Sequence, residues 1–148
     1  MYRNILVATD GSMLAEKAVS HGVSLAKSVG AKITALIVKA PFNVFSLPES
    51  QIRQMPELLA QHSKHAKEHA IKALSHVTDA AKTAAVPCET VQLEHEQAYE
   101  AIIKTARDRG CDLIVMASHG RSGFSAVLLG SVTNKVLTHT KIPVLVCR

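Results

Sequence analysis

A chain of 148 residues has room for one ordinary domain, here taken to span residues 1–148, whose core at this size buries roughly two-thirds of the surface the unfolded chain exposes. Aromatic residues make up only 3% and tryptophan is absent, so the core must be built from Val, Ile, Leu and Ala, a palette that suits parallel strands covered by helices. The formal charge of +5 invites a nucleic-acid reading, but Lys and Arg stand singly along helical segments with almost no aromatics to stack on bases, which favours a small anionic ligand over nucleic acid.

Cys88, Cys111 and Cys147 are odd in number and contain no C-x-x-C pair, so neither a zinc site nor a dithiol centre is indicated. Buried thiols in a reducing compartment are the expectation. The apolar run after Met1 is too short for a signal peptide, and nowhere do 18 apolar residues follow one another, so the chain is expected to be cytoplasmic and free of membrane.

In chain order, Ile5-Leu-Val-Ala8 is an apolar run bounded by Thr9-Asp10-Gly11-Ser12, predicting a buried strand that ends in a turn. Ser12 as N-cap, Glu16 in the first turn and Leu14, Ala18, Gly22, Leu25 and Val29 at helical spacing predict a helix that Gly30 stops. Residues 33–38 form the second predicted strand. Between Lys39 and Glu57, Pro41, Pro48 and Pro56 punctuate a connection of unusual length, a place where function is often carried. A helix then runs from about Pro56 to Ala84 with Leu59, Ala66, Ala70, Ala73 and Val77 on its apolar face, before Pro87 and a third strand over 88–93. The third helix covers 98–109, with Ile102 and Ala106 inward and Gly110 as its stop. Leu113 to Ala117 is a fourth strand, residues 130–138 a fourth helix, and Pro143 opens a last strand, Val144-Leu-Val-Cys147.

Five strands alternating with four helices predict a doubly wound α/β domain with a parallel sheet and right-handed crossovers. Ligands of such sheets lie beyond the carboxyl ends of the strands, where strand order reverses. Asp10 and the segment after Ala117 both fall at carboxyl ends. That segment, Ser118-His-Gly-Arg-Ser-Gly-Phe-Ser125, combines Gly120 and Gly123 with small hydroxyl residues, which leaves backbone N–H groups open to an approaching anion. The helix beginning near Gly130-Ser131 adds the positive end of its dipole. Neither G-x-x-x-x-G-K-[ST] nor G-x-G-x-x-G occurs.

What stands here is Ala117-x-x-Gly120, nine residues, then Gly130-Ser131. This resembles the nucleotide-binding signature of the universal stress protein family, in which a glycine, two residues, a second glycine, nine residues and a Gly-Ser/Thr pair wrap an ATP. Ile5-Leu-Val-Ala-Thr-Asp-Gly-Ser12, Asp112-Leu-Ile-Val-Met-Ala-Ser-His-Gly120 and Pro143-Val-Leu-Val146 are similar to the family's first strand and turn, its fourth strand and loop, and its closing strand, so the resemblance covers essentially the whole chain. It implies a Rossmann-like fold of the adenine nucleotide alpha hydrolase type with strand order 3-2-1-4-5. It also implies a site for ATP, AMP or ADP, with Mg or Mn. In that site Asp10 meets the adenine-ribose side, Val38 the adenine through its backbone, and Gly120, Gly130, Ser131 and Val132 the phosphates, with Ala8, Thr9, Met116 and Ala117 completing the set. His119 and Arg121, from their place in the glycine loop, are candidates for the phosphates against the plainer reading of exposed loop charges. Two departures stand out. Ala117 replaces the first glycine and adds a methyl where the family brings backbone close to the nucleotide, which predicts weakened binding, and His95 stands where relatives often carry glycine, which bears on loop shape.

The function implied is a nucleotide-dependent stress-response module coupled to an unknown protein partner. Slow ATP turnover, with His119 and Asp10 as the groups nearest a γ-phosphate, and a nucleotide-independent dimeric scaffold are the alternatives. Asp10 also has a plainer reading, an Asx bond within its own turn. His62, His65, His69 and His76 fall on one helical stripe within about 60° at roughly 100° per residue. Metal sites usually draw a ligand from a second element, so no metal site is assigned to them. In the implied strand order Val144-Leu-Val-Cys147 lies at the sheet edge, with nothing expected after Arg148 to cover it, and an apolar edge is usually covered. A homodimer through this strand, the arrangement the family often adopts, is expected, with Leu145→Pro removing a donor that the pairing needs.

Overall fold

β1 (Asn4–Ala8), all five residues buried, runs through the middle of a parallel sheet. The computed structural model describes residues 1–121 and 128–148. α1 (Met13–Val29), β2 (Lys32–Lys39), α2 (Met55–Thr83), β3 (Cys88–Glu94), α3 (Ala98–Asp108), β4 (Leu113–Ala117), α4 (Ser131–His139) and β5 (Val144–Cys147) follow in order. The sheet order is β3-β2-β1-β4-β5, the doubly wound order anticipated above. Ile5 pairs with Ile33 on one side and with Leu113 on the other, so the order reverses between β1 and β4.

Strand periodicity sorts the core into two layers. Ile5, Val7, Ile33, Ala35, Leu113 and Val115 pack with residues of α1 and α2. Leu6, Ala8, Leu36, Ile114 and Met116 face Ile102 and Ala106 of α3 and Val136 of α4. Being buried on both faces explains why β1 and β4 read as unbroken apolar runs. Ser12 caps α1 by accepting from the Ala15 amide at 3.2 Å, and Gly30 ends it at φ 68°. At the amino end of the sheet the Asp112 carboxylate accepts the amides of Arg3 and Asn4.

Two local expectations change. The connection after β2 carries 3₁₀ turns at Val44–Ser46 and Glu49–Gln54, the first started by Asn43 accepting from the Phe45 amide at 3.1 Å. The buried residues of α2 begin only at Ala70, and Leu59 is 40% exposed. Periodicity identified the apolar face of α2, but its first turns run clear of the core.

β5 is the edge strand. The carbonyls of Pro143 and Cys147 accept from Ile114 and Ser118, so with the strand period of two the backbone polar groups of Leu145 also turn toward β4. Val144 and Val146 present theirs to the open side, which corrects the expectation for Leu145→Pro. Among the described residues no helix is long and apolar enough to cross a membrane.

Cys111 and Cys147 are buried, Cys88 is half-buried, and none is in a disulfide. Burial pushes all three thiols up, with the Glu89 carboxylate adding to the effect at Cys88 and Cys111. The folded state thus favours the neutral thiols. Their stabilising contribution is complete below the unfolded thiol pKa and is lost as pH rises through the folded values. Iodoacetamide at pH 7.5 should leave Cys111 and Cys147 largely unmodified until denaturant is added, and rapid labelling of the native protein would contradict this burial.

Candidate functional site

At the carboxyl ends of β1 and β4 lies a cavity of about 400 Å³, within the size range of small-molecule sites. One wall is apolar, formed by Leu36 and Val38 of β2, Ala98 and Ile102 of α3, and Met116. The opposite rim is made of backbone and small side chains: Thr9 and Asp10 after β1, His119 and Gly120 after β4, and Gly130, Ser131, Val132 and Thr133 where α4 begins.

Three bonds hold the end of β4, two of them to the start of α4 and one to β5. The Gly130 amide donates to the Ser118 carbonyl at 2.7 Å, the Ser118 amide donates to the Cys147 carbonyl at 2.7 Å, and the buried Thr133 hydroxyl donates to the Ala117 carbonyl at 2.9 Å. Gly130 caps the helix without a side-chain bond, and the first intrahelical amide to find its acceptor is Asn134, on the Gly130 carbonyl. Among the described residues the amides of Ser131 to Thr133 therefore begin the helix uncapped beside the cavity, where the dipole favours an anion. Both glycines at this rim sit where an added Cβ would crowd a neighbour. A Cβ on Gly130 would lie 3.2 Å from the Ser118 carbonyl oxygen, and one on Gly120 would lie 2.8 Å from Asp10 Oδ2.

Asp10 braces the opposite side. Its Oδ1 accepts from the Ser12 amide at 3.0 Å, the Asx bond of its own turn, and its Oδ2 accepts from the Arg121 amide at 2.8 Å. That second bond ties the segment leaving β4 to the segment leaving β1.

Of the residues named from the sequence, Ala8, Thr9, Asp10, Val38, Met116, Ala117, His119, Gly120, Gly130, Ser131 and Val132 all line the cavity. Arg121 does not. Its guanidinium NH1 lies 3.4 Å from His69 Nε2 of α2. Ala117, 8% exposed, also packs in the α1-side layer with Val115 and Cys147, so its methyl is accommodated in the core. The Gly123, Ser122 and Ser125 positions expected to complete the cradle lie outside the described residues. Ala15, Leu36, Ala98, Ile102 and Thr133 line the cavity without having been expected at the site. Leu36 shares the strand face of Val38, and Ala98 and Ile102 share a helix face, so period-2 and i,i+4 arguments could have found these three.

The histidine stripe does not converge. His62 stacks edge-on against Phe42 with ring centroids 5.0 Å apart, His65 is exposed, His69 Nε2 sits 2.7 Å from the Asp10 carbonyl, and His76 lies 3.6 Å from Glu16. Among the described residues no group of three His, Cys, Asp or Glu side chains is placed to hold a metal ion.

The universal stress protein family model matches residues 1–148. The universal stress protein YxiE of Bacillus subtilis (strain 168) is 34% identical over 149 residues, covering 100% of this chain and 100% of that protein. The solved structure of MJ0577, a universal stress protein of Methanocaldococcus jannaschii, has a TM-score of 0.80 at 28% identity and covers 99% of this chain and 96% of that one. A universal stress protein solved in complex with cAMP has a TM-score of 0.71 at 23% identity, covers 99% of this chain and 97% of that one, and shares the fold. The same strand order, the glycines at the rim and a match that runs from the first residue to the last have one explanation: the chain belongs to the universal stress protein family.

Proposed function

We propose that the cavity binds an adenine nucleotide and that the protein, one domain spanning its 148 residues, acts in the cytoplasm as a nucleotide-dependent regulatory module of the stress response. In this reading it works as a homodimer through β5 and couples occupancy to a protein partner. The observation that carries the reading is the start of α4, uncapped among the described residues, beside an apolar slot at the switch point of the sheet. The apolar wall suits a base, and the Ser131 to Thr133 amides suit phosphate oxygens. Adenine is assigned through the family signature. The cAMP of the more distant relative is a property of that protein.

No Lys or Arg lines the cavity among the described residues, and the stretch from 122 to 127 contains neither. Amides and a helix dipole supply only partial charges, so a triphosphate is best accommodated as its Mg or Mn complex. AMP carries less charge and depends less on the ion. Calorimetry should therefore show ATP affinity falling about tenfold or more on chelation, about 1.4 kcal/mol, while AMP affinity changes by less than threefold. Mass analysis of the denatured purified protein would detect nucleotide carried through purification. No binding at millimolar AMP or MgATP would end the nucleotide reading.

Turnover of ATP has less support, because both Asp10 oxygens already accept backbone amides in a bracing role. The nucleotide-free scaffold is disfavoured by a cavity that remains open with Ala117 in place.

A further inference from the structure

We propose that His69 is a positioning residue for this site: from α2 it holds the Asp10 carbonyl, and through Asp10 it keeps the Arg121 amide latched across the cavity rim. The proposal deepens the nucleotide reading above and names a residue outside the cavity lining on which the shape of that rim depends.

His69 Nε2 lies 2.7 Å from the Asp10 carbonyl oxygen. A carbonyl only accepts, so Nε2 carries the hydrogen and donates it. The Arg121 NH1 group, 3.4 Å from the same nitrogen, is itself a donor and lies alongside the ring without bonding to it. Beneath the ring is Gly11, at φ 77°, where a Cβ would lie 2.8 Å from His69 Cε1. The imidazole thus rests directly on the turn that carries Asp10.

That turn needs support because it separates two spaces. A second cavity of about 120 Å³ lies on its α2 side, lined by Thr9, Gly11, Glu16, His69, Lys72 and His76 among others, and Thr9 lines both cavities. The turn borders open volume on each side, and the bond from His69 ties it to the long helix. Asp10 then transmits the constraint. Its carbonyl is held by His69, its Oδ1 by the Ser12 amide, and its Oδ2 accepts the Arg121 amide next to Gly120, where no Cβ fits. Without His69 the Asp10 carbonyl loses the bond that ties it to α2, the turn relaxes toward the smaller cavity, and the carboxylate moves off the Arg121 amide.

The test reads the latch directly. In ligand-free protein, hydrogen exchange at the Arg121 amide should quicken by about tenfold in His69→Ala, the scale of one lost hydrogen bond. His69→Gln, whose side-chain amide nitrogen reaches about as far as Nε2 and donates, should bring it back to within about threefold of wild type. His69→Leu, which fills the space without a donor, should behave like His69→Ala and serves if the alanine variant unfolds. His65→Ala, exposed one turn earlier on the same helix, should change nothing. AMP affinity by calorimetry should follow the same order, with a loss of about tenfold in His69→Leu and recovery in His69→Gln. Arg121 exchange unchanged in both donor-free variants would overturn the proposal, as would equal acceleration in His69→Gln and His69→Leu, which would reduce His69 to packing. If wild-type protein binds no AMP, the nucleotide reading falls, and the ligand-free exchange still decides for or against the latch.

Discussion

Gly130→Val is expected to weaken nucleotide binding by more than 100-fold, about 2.7 kcal/mol, while the protein stays folded. The effect is steric, because φ at Gly130 is −66°, a value any residue adopts. The added Cβ would stand 3.2 Å from the Ser118 carbonyl oxygen and 3.4 Å from His119 Cα. Both are backbone atoms and cannot rotate aside. The start of α4 must shift away from β4, and the valine methyls project over the first turn, where the Ser131 to Thr133 amides face the cavity. The bond from the Gly130 amide to Ser118 is strained by the same displacement. Gly130→Ala tests the mechanism, since it adds the Cβ without the branch and should cost about tenfold or less. Calorimetry with AMP and with MgATP gives the affinities, and far-ultraviolet circular dichroism reports the fold. Unchanged affinity in the valine variant would place the phosphates elsewhere.

The second large effect concerns the sheet edge. Val146→Pro should convert the proposed dimer to monomer, whereas Leu145→Pro should damage the subunit itself. Val146 turns its N–H to the open side of β5, so proline there deletes a donor offered to a partner strand and keeps the bonds to β4. Leu145 turns its N–H toward β4, where it pairs with Val115, and proline there breaks the ladder inside the subunit at a cost of about 3 kcal/mol. Light scattering at micromolar concentration separates association state, and thermal melting separates stability. A wild-type mass near 16 kDa would show that β5 does not pair between copies. A melting temperature lowered more by Val146→Pro than by Leu145→Pro would contradict the register described above.

How much of this was legible in the chain depends on how local each signal is. β1 and β4 are buried on both faces, so their apolar runs announce them, and Ser12 and Gly30 mark the ends of α1 by chemistry confined to a single turn. The positions of Asp10, Gly120 and Gly130 around one cavity could be anticipated because strand ends in a doubly wound sheet converge. Leu59 shows where periodicity stops being informative: spacing tells which face of a helix is apolar and says nothing of whether a neighbour is there to cover it. Arg121 was expected at the phosphates as a cation in a glycine loop, yet its guanidinium lies beside His69, 52 residues away in sequence. The bond between His69 and Asp10 spans 59 residues. No local pattern encodes such a pairing. The histidine stripe was visible, but only the tertiary arrangement distinguishes the member that supports the turn from those that do not.

Ser118 sits where two surfaces meet. Its amide is bonded to Cys147 at the end of the edge strand, and its carbonyl receives the amide that opens α4. The next link repeats the connection from outside, with the Arg148 guanidinium donating to the Leu128 carbonyl at 3.2 Å. One residue therefore bonds both to the start of the helix proposed to cradle the anion and to the strand through which copies are proposed to pair. Free energy is a state function, so whatever affinity the ligand gains from a second subunit, the subunits must gain from the ligand by the same factor. If the proposed site and the proposed pairing are coupled through this residue, sensing and assembly become two measurements of a single equilibrium, and the level of nucleotide would set the fraction of paired chains.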